Sequence, residues 1–217
     1  MGIPIKLHVS LLLLFVVLWV VSSGYGGILF AVLLLAMEAG GLISVLLHEL
    51  GHSLVARMHH CRVHEITLTL IGGMASMERM PDKPSGEIAM ALAGPAVSVA
   101  LGSFFYGMAR LFDAGEPSLT NYLLNMLGII NFVLAGFNLL PGFPLDGGRV
   151  LRSILWSATG NLRKATNISA TVGRYFGWTF VALGVFQLFT GDFLGGLWTA
   201  FIGWFLSSAA DASRREV

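Results

Sequence analysis

Two histidines and a glutamate fall within five consecutive positions, His48-Glu49-Leu50-Gly51-His52. On a helix, residues i and i+4 share a face, so both imidazoles would reach one metal ion. Glu49 lies next to the first histidine and could act as a general base. The alternative is a pair of helix-end histidines that extend to the membrane interface. Because ionisable residues within a membrane span are costly and usually functional, the pattern favours a metal site.

A catalytic zinc site takes three protein ligands and keeps one position open, so a third ligand is expected elsewhere in the chain. Asp146 is the preferred candidate because Pro141 and Pro144 precede it and Gly147-Gly148 follow it. The prolines must end a helix, and the glycines permit a sharp turn beside a ligand. The alternative role for Asp146 is an N-cap of the following helix. The other potential ligands are Glu38 and the histidines His8, His59, His60 and His64.

These residues must be positioned by membrane-spanning helices, because the 217-residue chain is 55% hydrophobic and only 12% charged. A span needs about 20 apolar helical residues. The net charge of +1 gives no indication of nucleic-acid binding. The sequence predicts an α-helical polytopic membrane protein with about six spans: Leu7–Ser23, Ile28–Met58, Glu87–Phe112, Leu119–Leu140, Ala165–Phe189 and Phe193–Ala210. The first of these could instead be a cleaved signal peptide, but its length favours a retained span.

The distribution of basic residues predicts an orientation in the cell membrane. With both termini in the cytoplasm, 12 of the 13 Lys and Arg residues fall in cytoplasmic segments, and only Arg110 lies near the outer face. This asymmetry follows the positive-inside rule. The same orientation places the histidine pair and Asp146 on the cytoplasmic side.

Two cytoplasmic segments are predicted to carry secondary structure of their own. Apolar residues alternate with threonines in Cys61–Arg79, which predicts a small β-hairpin turning at Gly72-Gly73. The alternation of Ile3, Ile5 and Leu7 could add a third strand. The segment Gly147–Thr159 has helical periodicity, with Arg149, Arg152 and Ser153 opposite an apolar face, and is predicted to lie at the interface.

Taken together, the two motifs resemble those of the site-2 protease family of intramembrane metalloproteases. The chain has the family's His-Glu-x-x-His on one span and its Asn…Pro-x-x-Pro-x-Asp-Gly-Gly, from Asn138 to Gly148, on a later one. The N-terminal segment and the Gly72–Ala75 and Ala93–Pro95 segments also resemble the family, so the likeness extends over about residues 2–152. It implies that His48, His52 and Asp146 bind one Zn²⁺, that Glu49 is catalytic, and that Asn138 contacts the substrate or oxyanion.

The expected function is therefore hydrolysis of peptide bonds within or near transmembrane segments of membrane proteins. The expected partners are such a substrate and the lipid bilayer, and the sequence specifies no oligomeric state. We expect a single transmembrane metalloprotease domain over 1–217, with its catalytic core at about 28–152 and no room for a PDZ or CBS domain. The competing hypothesis is a metal-ion or proton transporter that uses the same His, Glu and Asp residues.

Four further features have more than one possible role. An exposed strand edge within Arg62–Met77 could pair with an unwound substrate segment, or the hairpin could simply pack at the interface. Asn131 could extend the polar face of Asn138 or form an interhelical hydrogen bond. Glu38 could line a polar cavity, and the cluster of His59, His60, Cys61 and His64 is more simply explained as polar residues at a helix end.

Overall fold

The computed structural model of the chain describes residues 2–13, 16, 19, 20, 27–70, 72–112 and 118–215. The first predicted span, Leu7–Ser23, is described only in part, with helix at residues 10–13, 16, 19 and 20, and its other seven residues lie outside the described ranges. The described helices are α1 (Gly27–Met58), α2 (Pro84–Leu111), α3 (Leu119–Asn138), α4 (Asp146–Thr159), α5 (Leu162–Phe189) and α6 (Phe193–Ser213). The prediction of an α-helical membrane protein is thus confirmed.

Four of these helices are long and apolar enough to cross a membrane, within the part of the chain that the structure describes. They are Phe30–Met58 of α1, together with α2, α3 and α6, and they match four predicted spans. The fifth prediction, Ala165–Phe189, coincides with α5, which has sufficient length but is not among the apolar helices. Asn167 and Arg174 lie within it and lower its hydropathy.

A three-stranded sheet follows the predicted pattern. Its strands are β1 (Ile5–Leu7), β2 (Val63–Thr69) and β3 (Gly72–Met77), in the order β1-β2-β3. β1 runs parallel to β2, with Ile5 opposite Ile66, and β3 runs antiparallel to β2. The predicted turn at Gly72-Gly73 was misplaced, because both glycines pair with β2 as part of β3. Glycine is needed there for a different reason, since Gly72 has φ +138° and Gly73 approaches Glu49.

The chain divides into two compact units, one comprising Met1–Pro81 with Ala93–Gly136 and the other Asp82–Leu92 with Phe137–Val217. The expectation of one metalloprotease domain over 1–217, with a core at about 28–152, stays a prediction. In the first unit, the sheet packs on α1, where Ile66, Leu68 and Leu11 form a buried apolar cluster with Leu46 and Leu50.

In the second unit, α5 and α6 pack closely through small residues. A Cβ on Gly177 would come within 2.7 Å of the Gly203 carbonyl oxygen, and a Cβ on Gly196 would come equally close to that of Gly184. Small residues let helix backbones approach in this way in membrane proteins. The same unit contains the segment from Asn138 to Asp146, and its apolar core includes Phe143, Ala170 and Ala210.

The predicted helix exists as α4, and two of the residues on its polar side face the interior of the unit; its position at the interface stays a prediction. Arg152 and Ser153 are buried, whereas Ile154 is 53% exposed. The physical reason is that Arg152 has an acidic partner, Glu87, inside the unit.

Candidate metal centre

The two histidines of α1 form the best-defined part of the site. Their Nε2 atoms lie 3.1 Å apart, and the side chains are 3% and 5% exposed. Two nitrogen ligands of a tetrahedral zinc, each 2.0–2.1 Å from the ion, would be separated by about 3.3 Å. His48 and His52 therefore already have the spacing that a shared ion requires, as the i, i+4 motif predicts. The other histidines, His8, His59, His60 and His64, are exposed.

Ser98 of α2 fixes the orientation of His48. The His48 Nδ1 atom lies 2.8 Å from the Ser98 hydroxyl oxygen, which is fully buried. A hydrogen bond at Nδ1 leaves Nε2 directed toward the metal position, and such outer contacts tune ligand affinity. Ser98 could not be recognised from the sequence, because a single serine within an apolar helix gives no signal of this role.

Gly94 of α2 leaves the space into which both imidazoles point. A Cβ at this position would lie 2.7 Å from the His48 Nε2 and would overlap the Nε2 of His52. Any larger residue would therefore occupy the position where an ion has to bind. Gly51 of α1 allows a close approach to α2, since a Cβ there would lie 3.0 Å from the Ala93 carbonyl oxygen.

Asp146 completes a set of three buried potential ligands. One ligand atom from each of His48, His52 and Asp146 lies within 4.8 Å of the others. This is the one group of His, Cys, Asp or Glu side chains with metal-site spacing in the described parts of the chain. Two imidazole nitrogens and a carboxylate oxygen suit Zn²⁺, and three ligands leave a coordination position for catalysis. The residues thus fit a catalytic zinc ion.

The backbone around Asp146 is held by close contacts. Asp146 is the first residue of α4, and the N-cap position belongs to Leu145, so the alternative N-cap role is wrong. A Cβ on Gly147 would overlap the carbonyl oxygens of Leu139 and Leu140, and Gly148 is equally confined by Gly142. The Ser169 hydroxyl of α5 also donates to the Gly148 carbonyl oxygen at 2.6 Å.

Glu49 lies against the sheet. It is half-buried, and a Cβ on Gly73 of β3 would come 3.0 Å from its Cδ and 3.2 Å from its Oε1. The start of β3 therefore runs directly past the carboxylate. The predicted role of Glu49 as general base stays a prediction, and its position between His48 on the helix and β3 on the sheet is consistent with it.

The two asparagines of α3 have different environments. Asn131 is fully buried and donates to the Ser44 hydroxyl of α1 at 2.9 Å and to the Leu127 carbonyl at 2.8 Å. Of the two roles considered for Asn131, the interhelical hydrogen bond is therefore the correct one. Asn138 is the half-buried last residue of α3, and its catalytic role stays a prediction.

The remaining sequence candidates do not form a second metal site within the described ranges. Cys61 is buried, and its thiol donates to the His59 carbonyl. His60 adopts a left-handed conformation with φ 61°, just after the end of α1. The simpler interpretation, polar residues at a helix end, therefore holds for His59 and His60, whereas Cys61 is buried and His64 lies in β2. Both carboxylate oxygens of Glu38 are inaccessible to solvent.

Comparison with known proteins points to one family. The family model for peptidase family M50 matches residues 38–121 and 113–180. A candidate zinc metalloprotease of Synechocystis sp. is 45% identical over 174 residues, which is 80% of this chain and 45% of that protein. A zinc metalloprotease of Methanocaldococcus jannaschii is 39% identical over 191 residues, 87% of this chain and 53% of that protein. The chain thus spans about half the length of these relatives.

A solved structure supports the same grouping. The chain is similar to a site-2 protease from Methanocaldococcus jannaschii, with 35% identity and a TM-score of 0.73. The similarity covers 100% of this chain and 93% of the solved one. The helices and the small sheet of this chain therefore share the fold of that protease.

Proposed function

The chain belongs to peptidase family M50, and on that premise we propose that it is an intramembrane zinc metalloprotease. Its substrates would be membrane proteins, cleaved within or near a transmembrane segment. The observation that carries the proposal is the buried His48, His52 and Asp146 set. Such a donor set within an apolar protein is suited to holding a zinc ion where water is otherwise scarce.

Each site residue has a proposed part in hydrolysis. His48, His52 and Asp146 would hold Zn²⁺, which when bound supplies Lewis acidity toward water and the scissile carbonyl. Glu49 would take the proton from the attacking water and deliver it to the leaving amine. Asn138 would donate a hydrogen bond to the substrate peptide or to the developing oxyanion.

The sheet suggests how a substrate would be presented to Glu49. A transmembrane helix must unwind before cleavage, because its peptide groups are engaged in its own hydrogen bonds. In the described part of the sheet, β3 is an edge strand, and Gly73 at its start contacts Glu49. An extended substrate segment that pairs with β3 would therefore pass the proposed general base.

We also propose that both termini face the cytoplasm. This orientation places the basic residues of the segments between the spans on the cytoplasmic side and leaves only Arg110 near the outer face, as the positive-inside rule favours. Cleavage would then occur near the cytoplasmic leaflet. The transporter hypothesis is not favoured, because the relatives are named as proteases and the described residues contain one compact set of buried ligands rather than a series of sites.

The direct test is the Glu49→Gln variant, in detergent or proteoliposomes with a transmembrane model substrate. Removal of a general base is expected to lower the cleavage rate by at least about 100-fold. Zinc content should be unchanged, because Glu49 is not among the three proposed ligands. Glu78→Gln, at an exposed glutamate, is the matched control and should cleave at the wild-type rate. Wild-type cleavage by Glu49→Gln would refute the assignment.

A further inference from the structure

The second unit contains a buried ion pair that the proposed chemistry does not use. Arg152 of α4 donates through Nε to the Glu87 Oε1 of α2 at 2.7 Å, and its Nη2 contacts the same oxygen. Glu87 is 1% exposed and Arg152 is 9% exposed. We propose that this pair is a positioning device that holds Asp146 in place for the metal. The inference rests on the proposed role of Asp146 as a zinc ligand.

A buried ion pair needs an explanation beyond stability. Removing two charges from water is costly, and apolar side chains of similar volume often stabilise a fold equally well. What the charged pair adds is a fixed geometry, because a guanidinium and a carboxylate must meet in a defined orientation. One part of the unit is therefore expected to require that geometry.

The contacts of Arg152 identify this part as the segment that carries Asp146. Arg152 lies in α4, the helix that begins with Asp146, so fixing one residue of this rigid helix constrains the other. The Arg152 guanidinium carbon also lies 5.0 Å from the ring centre of Phe143. Phe143 precedes Asp146 by three residues, so Arg152 is tied to the chain on both sides of the proposed ligand.

A second set of contacts fixes the same segment from α5. The Phe143 backbone N–H donates to the Ser169 carbonyl at 3.3 Å, and the Ser169 hydroxyl donates to the Gly148 carbonyl. These bonds hold the chain next to Asp146 but contact α4 only in its first turn. The Arg152–Glu87 pair holds α4 one turn further along. Together the two sets determine both the position and the direction of the helix start.

The test is to remove both charges while keeping the volume, with the double variant Glu87→Met/Arg152→Met. We expect the zinc dissociation constant, measured by competition with a chelator, to rise by about tenfold, as for loss of contacts that orient a metal ligand. The melting temperature of the zinc-free protein should stay close to that of wild type, because no unpaired charge remains. Arg163→Met, at an exposed arginine of α5, is the matched control and should bind zinc normally.

A merely structural pair would behave differently from a positioning pair. In that case the double variant would bind zinc with wild-type affinity whenever it is folded, and this result would overturn the proposal. If the double variant does not fold, Glu87→Gln supplies the same comparison, because it keeps the side-chain shape and an acceptor. It should weaken zinc binding severalfold, and unchanged affinity would overturn the proposal.

The Asp146→Ala variant separates this inference from the proposed function. Full zinc binding without Asp146 would refute its role as a ligand, whatever the Arg152 variants do. Loss of zinc in Asp146→Ala together with wild-type affinity in Glu87→Met/Arg152→Met would refute only the positioning role.

Discussion

The distance between the two imidazole nitrogens depends on a residue without a side chain. Gly94 faces the Nε2 atoms of His48 and His52, and an added Cβ would fill the space between them and the helix. Side chains in a packed interior have few alternative rotamers, so the two imidazoles have little room to yield. The proposed metal position therefore depends on the missing side chain of Gly94 as well as on the ligands.

Gly94→Ala should consequently impair the site. We expect the zinc dissociation constant to rise by at least about tenfold, a loss typical of changes next to metal ligands. Gly107→Ala on the same helix is the matched control, because a Cβ there meets nothing within 4 Å. Chelator competition on both variants provides the measurement. Equal affinity for zinc in the two variants would contradict this account of Gly94.

Residue types alone indicated the candidate site residues but not the residues that orient them. His48, His52, Glu49 and Asp146 stand out because ionisable residues are rare in apolar segments. Ser98 does not stand out, because its role depends on a contact between residues 50 positions apart in the sequence. Sequence periodicity describes one helix at a time and contains no information about which serine faces which histidine.

The β-hairpin of β2 and β3 brings the start of β3 next to Glu49, the proposed general base. β2 and β3 are joined by a two-residue connection, with Thr69 opposite Gly72 as the closing pair. Hydrogen-bonded and non-hydrogen-bonded pairs alternate along an antiparallel ladder. The N–H of Ile66, which lies opposite Ala75, donates to Pro4 on the other side of β2, so Ile66 and Ala75 form a non-hydrogen-bonded pair. We therefore expect the N–H of Ala75 to point away from β2, toward a partner at the outer edge.

Ala75→Pro tests this edge, since proline removes one N–H from the outer side and leaves the pairing with β2 intact. We expect cleavage of a transmembrane substrate to fall about tenfold, which corresponds to one backbone hydrogen bond at the upper end of its usual range. Zinc content should not change. Ala75→Ser keeps the N–H and should cleave normally. Wild-type cleavage by Ala75→Pro would show that the substrate does not pair there.

The α1–α3 contact in the first unit depends on a buried amide. Asn131 donates to Ser44, which lies four residues before His48 on the same face of α1. Asn131→Leu should lower the free energy of unfolding by about 1 kcal/mol, the size of an interhelical hydrogen bond in a membrane protein. Asn125→Leu is the control, because that amide bonds to Asn121 of its own helix. An equal effect of both substitutions in detergent unfolding would contradict the role assigned to Asn131.

Element types could be predicted well, but not which face of α4 is buried. The alternation in β2 and the prolines after Asn138 located the hairpin and the end of α3 correctly. For α4, the helical period was correct, yet Arg152 was assigned to the polar surface. The sequence pattern shows that polar residues share one face, and it does not show that Glu87, 65 residues earlier, receives one of them.

At the scale of the whole molecule, composition was the most informative feature. A chain with 55% hydrophobic and 12% charged residues cannot place its apolar side chains inside a protein of this size, and large side chains such as Phe189 and Leu194 are 86% and 80% exposed. Exposed apolar residues around a polar, buried site are expected where lipid is the solvent. Among the described residues, the prediction of spans differs from the structure only at α5, which carries polar residues.

The most direct test of the central claim is zinc content, measured by elemental analysis of purified wild type and Asp146→Ala in detergent. The account predicts about one zinc ion per wild-type chain, as expected for a single three-ligand catalytic site. It also predicts loss of that zinc in Asp146→Ala, with retention in Asp82→Ala, which alters an exposed carboxylate. A metal-free wild type, or full zinc content without Asp146, would contradict the proposed metal centre.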